Sequence, residues 1–541
     1  MAYQTVGLGQ RLFQRATNAA GFSAARKADR ELVRLSRDLF IDAVTATPGS
    51  LRIDTAPETV LPPGKVIDAF AWLRELAAVR TLAAGREARI RLRAWLRSRA
   101  SGSTSADHVD VIRERVLAVV CASDLLMADY DDSALTDAEL DALFECVSGD
   151  VAALARGWRG SSTAIGRVSA LTTLTLVVLV ADSQDVQTRD ALAELRDVSC
   201  GLLVAELSAQ FFDDGGHVSR NPAVTMHALV ELIPLLRSFT YLDRNAPDEL
   251  TRWRPVMQQF LRTLRLCDRG LAAFHGGDAV RAQRLATILK LDPSLIEPVE
   301  LPDSRFRRIE AGPVQLICDA GQASGEAESW SQHASFGAFV LGDGGCPLFV
   351  NCGSGAPTRG GAGRQAWRET ACHNTLSLPD APSAAFADGA LSGPSNAKDA
   401  VAETPEAVTV SLSHDGYAAD FGLRHERSLT VDRTGNRMAG VDRLTSAGAL
   451  IRLKRDQPFA IHFHLADDVS VRLAPAANCV LLDTKSGGKW QFAVTGAQLY
   501  VENSPRFGRR AIPGASPKQL VLRAATAGET QVDWTLTRRF D

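Results

Sequence analysis

The hydrophobic repeat of this 541-residue chain changes about halfway along, and that change limits the folds open to it. From Glu31 to about Leu289, apolar residues recur every three to four positions, as in Val66, Phe70, Leu73, Leu76 and Val79, or Ile112, Val116 and Val119. This spacing puts them on one stripe of an α-helix. Pro62 and Pro63 precede the first of these helices, and Asp182 or Asp185 suits a cap. Pro222 opens another through Leu229, Leu232 and Leu236, because a first turn does not use the N–H that proline lacks. Glu249 to Phe274 reads as one long helix stopped by Gly276-Gly277.

After Pro293, Pro298 and Pro302 the period shortens. Strand-like runs follow at Gln315–Cys318, Gly337–Leu341, Leu348–Val350, Val408–Leu412, Ser428–Val431 and Phe459–Leu465. Gly342 to Gly345, Thr434 to Asn436 and Ser486 to Gly488 have hairpin-turn chemistry. Helices followed by strands argue for separate α and β domains and against a βαβ fold. The boundaries are expected as an N-terminal helical extension over 1–45, a helical domain over 46–300 and an antiparallel β domain over 301–541. Gly353–Gly363 and Pro379–Lys398 read as long loops.

Composition removes whole classes of function. Lys and Arg number 60 against 63 Asp and Glu, with 45% hydrophobic residues. The chain is therefore globular and lacks the electrostatic footprint of a nucleic-acid binder. Only eight of the basic residues are Lys, so 52 planar guanidinium forks remain, a geometry that suits carboxylates, sulfates and phosphates. Nine cysteines stand singly with no Cys-x-x-Cys, as scattered core thiols do. Val168–Ala181 is shorter than the roughly 20 residues of a membrane span and reads as a buried helix. Met1–Arg30 has no continuous apolar core, so no export signal and a cytoplasmic location are expected from the sequence. Phosphate-loop, Gly-x-Ser-x-Gly and His-Glu-x-x-His motifs are absent from it.

Several segments resemble the heparinase II/III family of polysaccharide lyases over about residues 50–525. They are Ala71-Trp72-Leu73-Arg74, the glycine-rich Asp213–Pro222, Arg368–Leu376 with its Arg-x-x-x-x-His-Asn-Thr-Leu pattern, His414–Tyr417, Leu423–Arg427 and Ile461–Leu465. The resemblance implies an incomplete α/α toroid followed by an antiparallel β-sandwich, an acidic polysaccharide as partner, and a periplasmic setting. It implies β-elimination on uronic-acid glycans. That reaction needs a neutraliser for the uronate carboxylate, a base for the α proton and an acid for the leaving oxygen.

On the same resemblance, His333, Asn351 and His373 stand where relatives hold zinc with His, Asp and His. Asn351 removes a charge from that set and leaves a poor ligand; the alternative is a hydrogen-bonded polar cluster. Val224 stands nearest the family's toroid Tyr, and Ser331 replaces the first His of a His-x-His. A substitute catalytic set is His217 as base, Arg220 as carboxylate clamp and Asn221 as donor, at a helix N-terminus that suits an anion. The bland reading has Asn221 capping the helix, Arg220 solvated and His217 fixing the loop. Tyr417 is a further proton-transfer candidate or a core aromatic. Arg368, Asn374 and His464 are candidates for substrate binding, and His464 is otherwise a structural hydrogen-bonder. His425 and Arg427 suit an acidic sugar or a solvated face, and His227 reads as a satisfied helix-face histidine. Two function classes follow: a lyase acting on acidic glycan, or a catalytically degenerate glycan-binding or exopolysaccharide-assembly protein. A glycoside hydrolase would have to use Asp213, Asp214 or Glu369. The resemblance leaves the glycan, its sulfation and the oligomeric state open.

Overall fold

The computed structural model describes residues 69–79, 81–100, 108–126, 132–182, 189–277, 285–286, 288–289 and 297–322. It continues over 331–354, 362–379, 381–387, 390–394, 396–448, 456–506, 517–526 and 530–540. The expected N-terminal extension, Pro62, Pro63, Val66, Asp185 and Pro293 lie outside these residues. Two compact units are present. One takes the described residues up to Phe211 together with Met226–Pro255, and the other takes Phe212–Thr225 and Val256 onwards.

The first unit is helical. Its helices include α1 (Ala71–Val79), α2 (Leu82–Ala100), α3 (Val109–Cys121), α4 (Asp137–Gly157), α5 (Ala164–Asp182), α6 (Arg189–Gln210) and most of α7 (Pro222–Tyr241). Thr136 and Glu139 cap α4 reciprocally: each side chain accepts the other's backbone N–H. α5 is the apolar stretch too short to span a bilayer, and it is buried. Its Thr172, Thr173 and Thr175 hydroxyls donate to the carbonyls of Val168, Ser169 and Leu171 at 2.8–2.9 Å, so no polar atom among them is stranded in the core. Among the described residues, no helix is long and apolar enough to cross a membrane.

After its Phe212–Thr225 segment, the second unit resumes within α8 (Trp253–Thr263), which the unit boundary enters at Val256. The expected helix to Phe274 stops here. Asp268-Arg269-Gly270 makes a turn, with Gly270 N–H on Asp268 Oδ1 at 2.8 Å and Arg269 at φ +67, so Arg265 pairs back onto Leu271. Turn chemistry overrides the helical period at this point.

The strands follow in chain order: β1 (Phe306–Ala311), β2 (Val314–Asp319), β3 (Phe339–Asp343), β4 (Cys346–Phe349), β5 (Leu376–Ser377), β6 (Ala385–Ala387), β7 (Ala390–Ser392), β8 (Lys398–Glu403) and β9 (Ala407–His414). After them come β10 (Leu423–Asp432), β11 (Arg437–Ser446), β12 (Pro458–His464), β13 (Val469–Leu473), β14 (Cys479–Thr484), β15 (Lys489–Thr495), β16 (Gln498–Asn503), β17 (Lys518–Ala525) and β18 (Thr530–Arg539). Every pairing between them is antiparallel. The sheets run β1-β2-β3-β4, β13-β14-β15-β18-β11-β10-β9-β8 and β16-β17-β12-β5. β6 and β7 form a small hairpin inside the expected 379–398 loop.

β10 alternates buried and half-buried residues along its length, as a strand with one face on the core must. That core holds an aromatic cluster of Phe339, Phe463, Phe492 and Trp534, with Phe463 and Trp534 centroids 4.9 Å apart. Gly440 makes room for it, because a Cβ there would lie 2.0 Å from the Trp534 ring. The architecture is thus a helical N-terminal region followed by an antiparallel β domain.

Candidate functional site

Most of the predicted site residues fall in the second unit, and the sequence order explains how they meet. The glycine-rich loop turns at Gly215 (φ +84), where a Cβ would strike the Val256 carbonyl at 2.5 Å. The Asp214 carboxylate fastens the loop by accepting from Gly216 N, Ser304 N and Ser304 Oγ at 2.8–3.0 Å. That leaves Asp214 bound to backbone, whereas a glycosidic acid needs a free carboxyl. Ser219 N–H donates to His217 Nδ1 at 3.1 Å, and Ser219 Oγ lies 2.8 Å from the same atom. His217 Nδ1 therefore carries the lone pair. Asn221 Oδ1 accepts from Ala223 N at 2.9 Å and caps α7.

Arg220 is buried, not solvated, and its fork is filled. It sits in the left-handed region at φ +59, strain that the surrounding contacts must hold. Nε donates to Ser304 O at 2.8 Å, Nη1 to Gly321 O at 2.9 Å and Nη2 to Asp319 Oδ1 at 2.5 Å. Gly321 is needed there, because a Cβ on it would lie 2.3 Å from Arg220 Cζ. Asp319 is wholly buried at the end of β2 and also accepts from Ser335 Oγ at 2.7 Å and Gly321 N at 3.1 Å. Burial alone would raise its pKa, but Arg220 and His275 hold it well below the usual carboxylate range.

His275 joins this pair to the predicted histidines. His333 N–H donates to His275 Nδ1 at 3.2 Å, which fixes the neutral Nε2–H tautomer, and that proton faces Asp319 Oδ2 at 3.0 Å. Burial keeps His275 below its ordinary pKa despite the carboxylate, so the contact is a neutral hydrogen bond and not an ion pair. His333 Nδ1 lies 3.1 Å from His373 Nε2. Burial, and then His275, lower the His373 pKa to about 3, and its Nδ1 meets no hydrogen-bond partner among the described residues. Gly277 lets Asn221 approach, because a Cβ on it would lie 2.7 Å from Asn221 Oδ1, and the Cβ position of Gly276 lies 3.5 Å from His333 Nε2 and 3.8 Å from Asn221 Nδ2. His217, Arg220, Asn221, His333 and His373 thus share one buried region. His275 and Asp319 are the members that sequence reasoning missed. The available signal for Asp319 was a carboxylate closing the apolar run Val314–Cys318, since a charge so placed requires a partner.

The remaining candidates are held elsewhere in the unit. Asn351 Oδ1 accepts from Asn374 N at 3.2 Å, and its Nδ2 donates to Ala273 O at 3.4 Å. Its oxygen is therefore already in use, and two imidazoles remain as metal donors. Among the described residues, no group of three His, Cys, Asp or Glu side chains is arranged to hold a metal. This donor set does not fit zinc, which takes four ligands. Asn374 accepts from His464 N at 2.6 Å and donates to Phe339 O at 2.8 Å. His464 is buried beside Ser504 Oγ (2.9 Å) and Ala371 O (3.1 Å). Arg368 Nε donates to Gln332 O at 2.9 Å, and its guanidinium stacks on Phe386. Tyr417 belongs to the core cluster, and its hydroxyl donates to Leu376 O at 2.8 Å; burial pushes its pKa up.

His425 and Arg427, read as a solvated or sugar-binding face, are 1% and 2% exposed. Gly416 N–H on His414 Nδ1 (3.1 Å) makes His414 donate through Nε2 to His425 Nδ1 (3.1 Å). His425 Nε2 in turn donates to Asp442 Oδ1 at 2.8 Å. Arg427 and Trp534 complete the shell of Asp442 at 2.7 and 3.0 Å. This chain of buried bonds ties β9, β10, β11 and β18 together. In the helical unit, His227 meets Ser169 Oγ at 3.2 Å and Glu231 at 3.4 Å, as a satisfied helix-face histidine does.

Residues 295–535 match the family described as heparinase II/III-like, C-terminal. The C-terminal domain is a heparinase II/III-like domain. Solved structures of heparan sulfate lyase HepC (a mutant, from Pedobacter heparinus) and of heparinase III superpose with TM-scores of 0.63 and 0.66. They are 13% and 11% identical, and the matches cover 97% and 94% of this chain and 87% and 85% of theirs. These likenesses show the fold, a helical toroid followed by a β-sandwich. The chain is also 26% identical over 522 residues to the FtsZ-localized protein C of Caulobacter vibrioides, covering 92% of this chain and 86% of that one.

Proposed function

We propose that this heparinase-like chain is catalytically silent and acts by binding, in company with FtsZ, as the name of its Caulobacter relative suggests for that protein. The observation that carries this reading is the commitment of the proton-transfer and clamp candidates to their own fold. Arg220 spends its fork on Ser304 O, Gly321 O and Asp319. Tyr417 is fully buried, with its hydroxyl on Leu376 O. His373 is buried and neutral. Val224, nearest the family's Tyr position, has no proton to transfer. A glycan chain meeting this domain finds these groups already engaged, and β-elimination needs an acid and a base at the substrate.

Two experiments test the reading. Purified protein incubated with heparan sulfate, chondroitin and alginate is expected to yield no ultraviolet absorbance from unsaturated uronate ends. Release of such ends, lost in a His333→Ala variant, would sink the silent-scaffold reading. A fluorescent fusion in its own cell is expected to gather where FtsZ gathers and to disperse when FtsZ is depleted. A uniform distribution that ignores FtsZ would refute the second half.

A further inference from the structure

Cys352 and Cys372, well separated in sequence, are held side by side in the second unit. Cys352 N–H donates to Cys372 O at 3.1 Å. A backbone bond of this kind holds two Cα atoms at the roughly 4.4–6.8 Å separation that a disulfide spans. Both side chains are buried, and with Trp367 they form a small cluster of their own. The two thiols meet within it, and both are free. The surroundings are fastened on each side: Cys372 Sγ donates to Ala366 O at 3.3 Å, and Asn351 Oδ1 accepts from Asn374 N at 3.2 Å.

His464 completes the group. Its Nε2 faces Ala371 O at 3.1 Å, an atom that only accepts, so Nε2 carries the ring proton. Nδ1 is then a lone pair, and it faces Ser504 Oγ at 2.9 Å and Cys352 Sγ at 3.5 Å. Cys352 therefore has a base for its thiol proton on one side and a second thiol on the other. Burial, and then Cys372, push the Cys352 pKa up, so the resting group is a thiol and waits for an oxidant.

We infer that Cys352 and Cys372 are a modification site, a dithiol that hydrogen peroxide closes into a reversible disulfide. Cys352 Sγ attacks one peroxide oxygen and the O–O bond breaks. The thiol proton passes through His464 Nδ1 to the departing hydroxide, which leaves as water, and Cys352 becomes a sulfenic acid. Cys372 Sγ then attacks that sulfur and the S–O bond breaks. The hydroxide leaves with the Cys372 proton as a second water. Two thiols thus lose two electrons and two protons, and the peroxide is reduced to water. The new bond joins the residue after Asn351 to the residue before His373, so oxidation ties together the segments that carry those side chains. It does not depend on whether the chain cleaves glycan or accompanies FtsZ.

The test uses the full chain, oxidised with hydrogen peroxide in native buffer and then alkylated in denaturant. Digestion with trypsin and chymotrypsin together puts Cys352 and Cys372 on separate peptides, 350–359 and 369–376. Mass spectrometry is expected to find these two joined, two hydrogens lighter than their sum and in large excess over any other cysteine pair. Dithiothreitol should reverse the link, and Cys200 and Cys318, which are also buried, should be recovered alkylated. A Cys372→Ser variant should lose the link and leave a sulfenic acid on Cys352 for dimedone to capture. The linked peptide in the parent chain decides the question even if that variant does not fold. Recovery of Cys352 and Cys372 as free thiols after oxidation would overturn the inference. So would pairings in native buffer as scattered as those formed in urea, since proximity in the fold would then select nothing.

Discussion

Replacing Arg220 by alanine separates a structural arginine from a substrate clamp. Arg220 and Asp319 are 4% and 0% exposed and 2.5 Å apart, and Asp319 keeps three other contacts, to Ser335, Gly321 and His275. Removing the arginine leaves a buried carboxylate without its counter-charge, a loss of about 3–5 kcal/mol for a broken buried pair. At roughly 2–4 °C per kcal/mol for a domain of this size, the melting temperature should fall by about 6–20 °C. Near-ultraviolet circular dichroism, which reports the Trp490 and Trp534 core of this unit, is the assay. A double variant, Arg220→Met with Asp319→Leu, should recover part of the loss, because no unpaired charge remains. Recovery should be incomplete, since Ser335 and His275 lose their acceptor. The reasoning is refuted if Arg220→Ala melts within about 2 °C of the parent and abolishes oligosaccharide binding, for Arg220 would then face a ligand.

Three further outcomes follow from the same contacts. The folded-state pKa of His373 is about 3, below the ordinary 6.5, and Asp319 and Asp442 lie below the ordinary 3.8. The unfolded chain therefore takes up protons first as pH falls, so urea midpoints should be highest above about pH 6.5 and decline below it, more steeply near pH 4. His373→Gln should flatten the upper part of that decline, and an unchanged profile would contradict its burial as a neutral ring. Tyr417→Phe removes the hydroxyl that satisfies Leu376 O and should cost roughly 1 kcal/mol in chemical denaturation; an unchanged denaturation curve would contradict its core role. Gly440→Ala places a methyl 2.0 Å from the Trp534 ring and should cost roughly 1–3 kcal/mol or prevent folding, read from the same denaturation curves.

The period of the chain was legible before any coordinates. Val109–Cys121 is a helix where the three-to-four spacing places it, Ala164–Asp182 encloses the apolar stretch read as a buried helix, and β2, β9 and β12 enclose or closely overlap the runs read as strands. The Asp268-Arg269-Gly270 turn was not, because helical spacing on both sides of it hides a short local competitor. Among the candidate residues, the sequence offered His333, Asn351 and His373 as one set and His217, Arg220 and Asn221 as another, and it left open whether the two meet. Arg220 looked like a solvated or substrate-facing cation because its partners, Ser304, Asp319 and Gly321, lie 84, 99 and 101 residues away. Arg427 looked exposed for the same reason, although Asp442 and Trp534 bury it.

Hydrophobic period is a property of neighbouring residues, so the sequence alone determined that helices precede strands and where most of them lie. Whether a charged or ring side chain meets solvent, substrate or another buried group depends on contacts between distant segments. Only the tertiary structure decided that, and it shows most of the candidate side chains buried and hydrogen-bonded to segments far away in sequence.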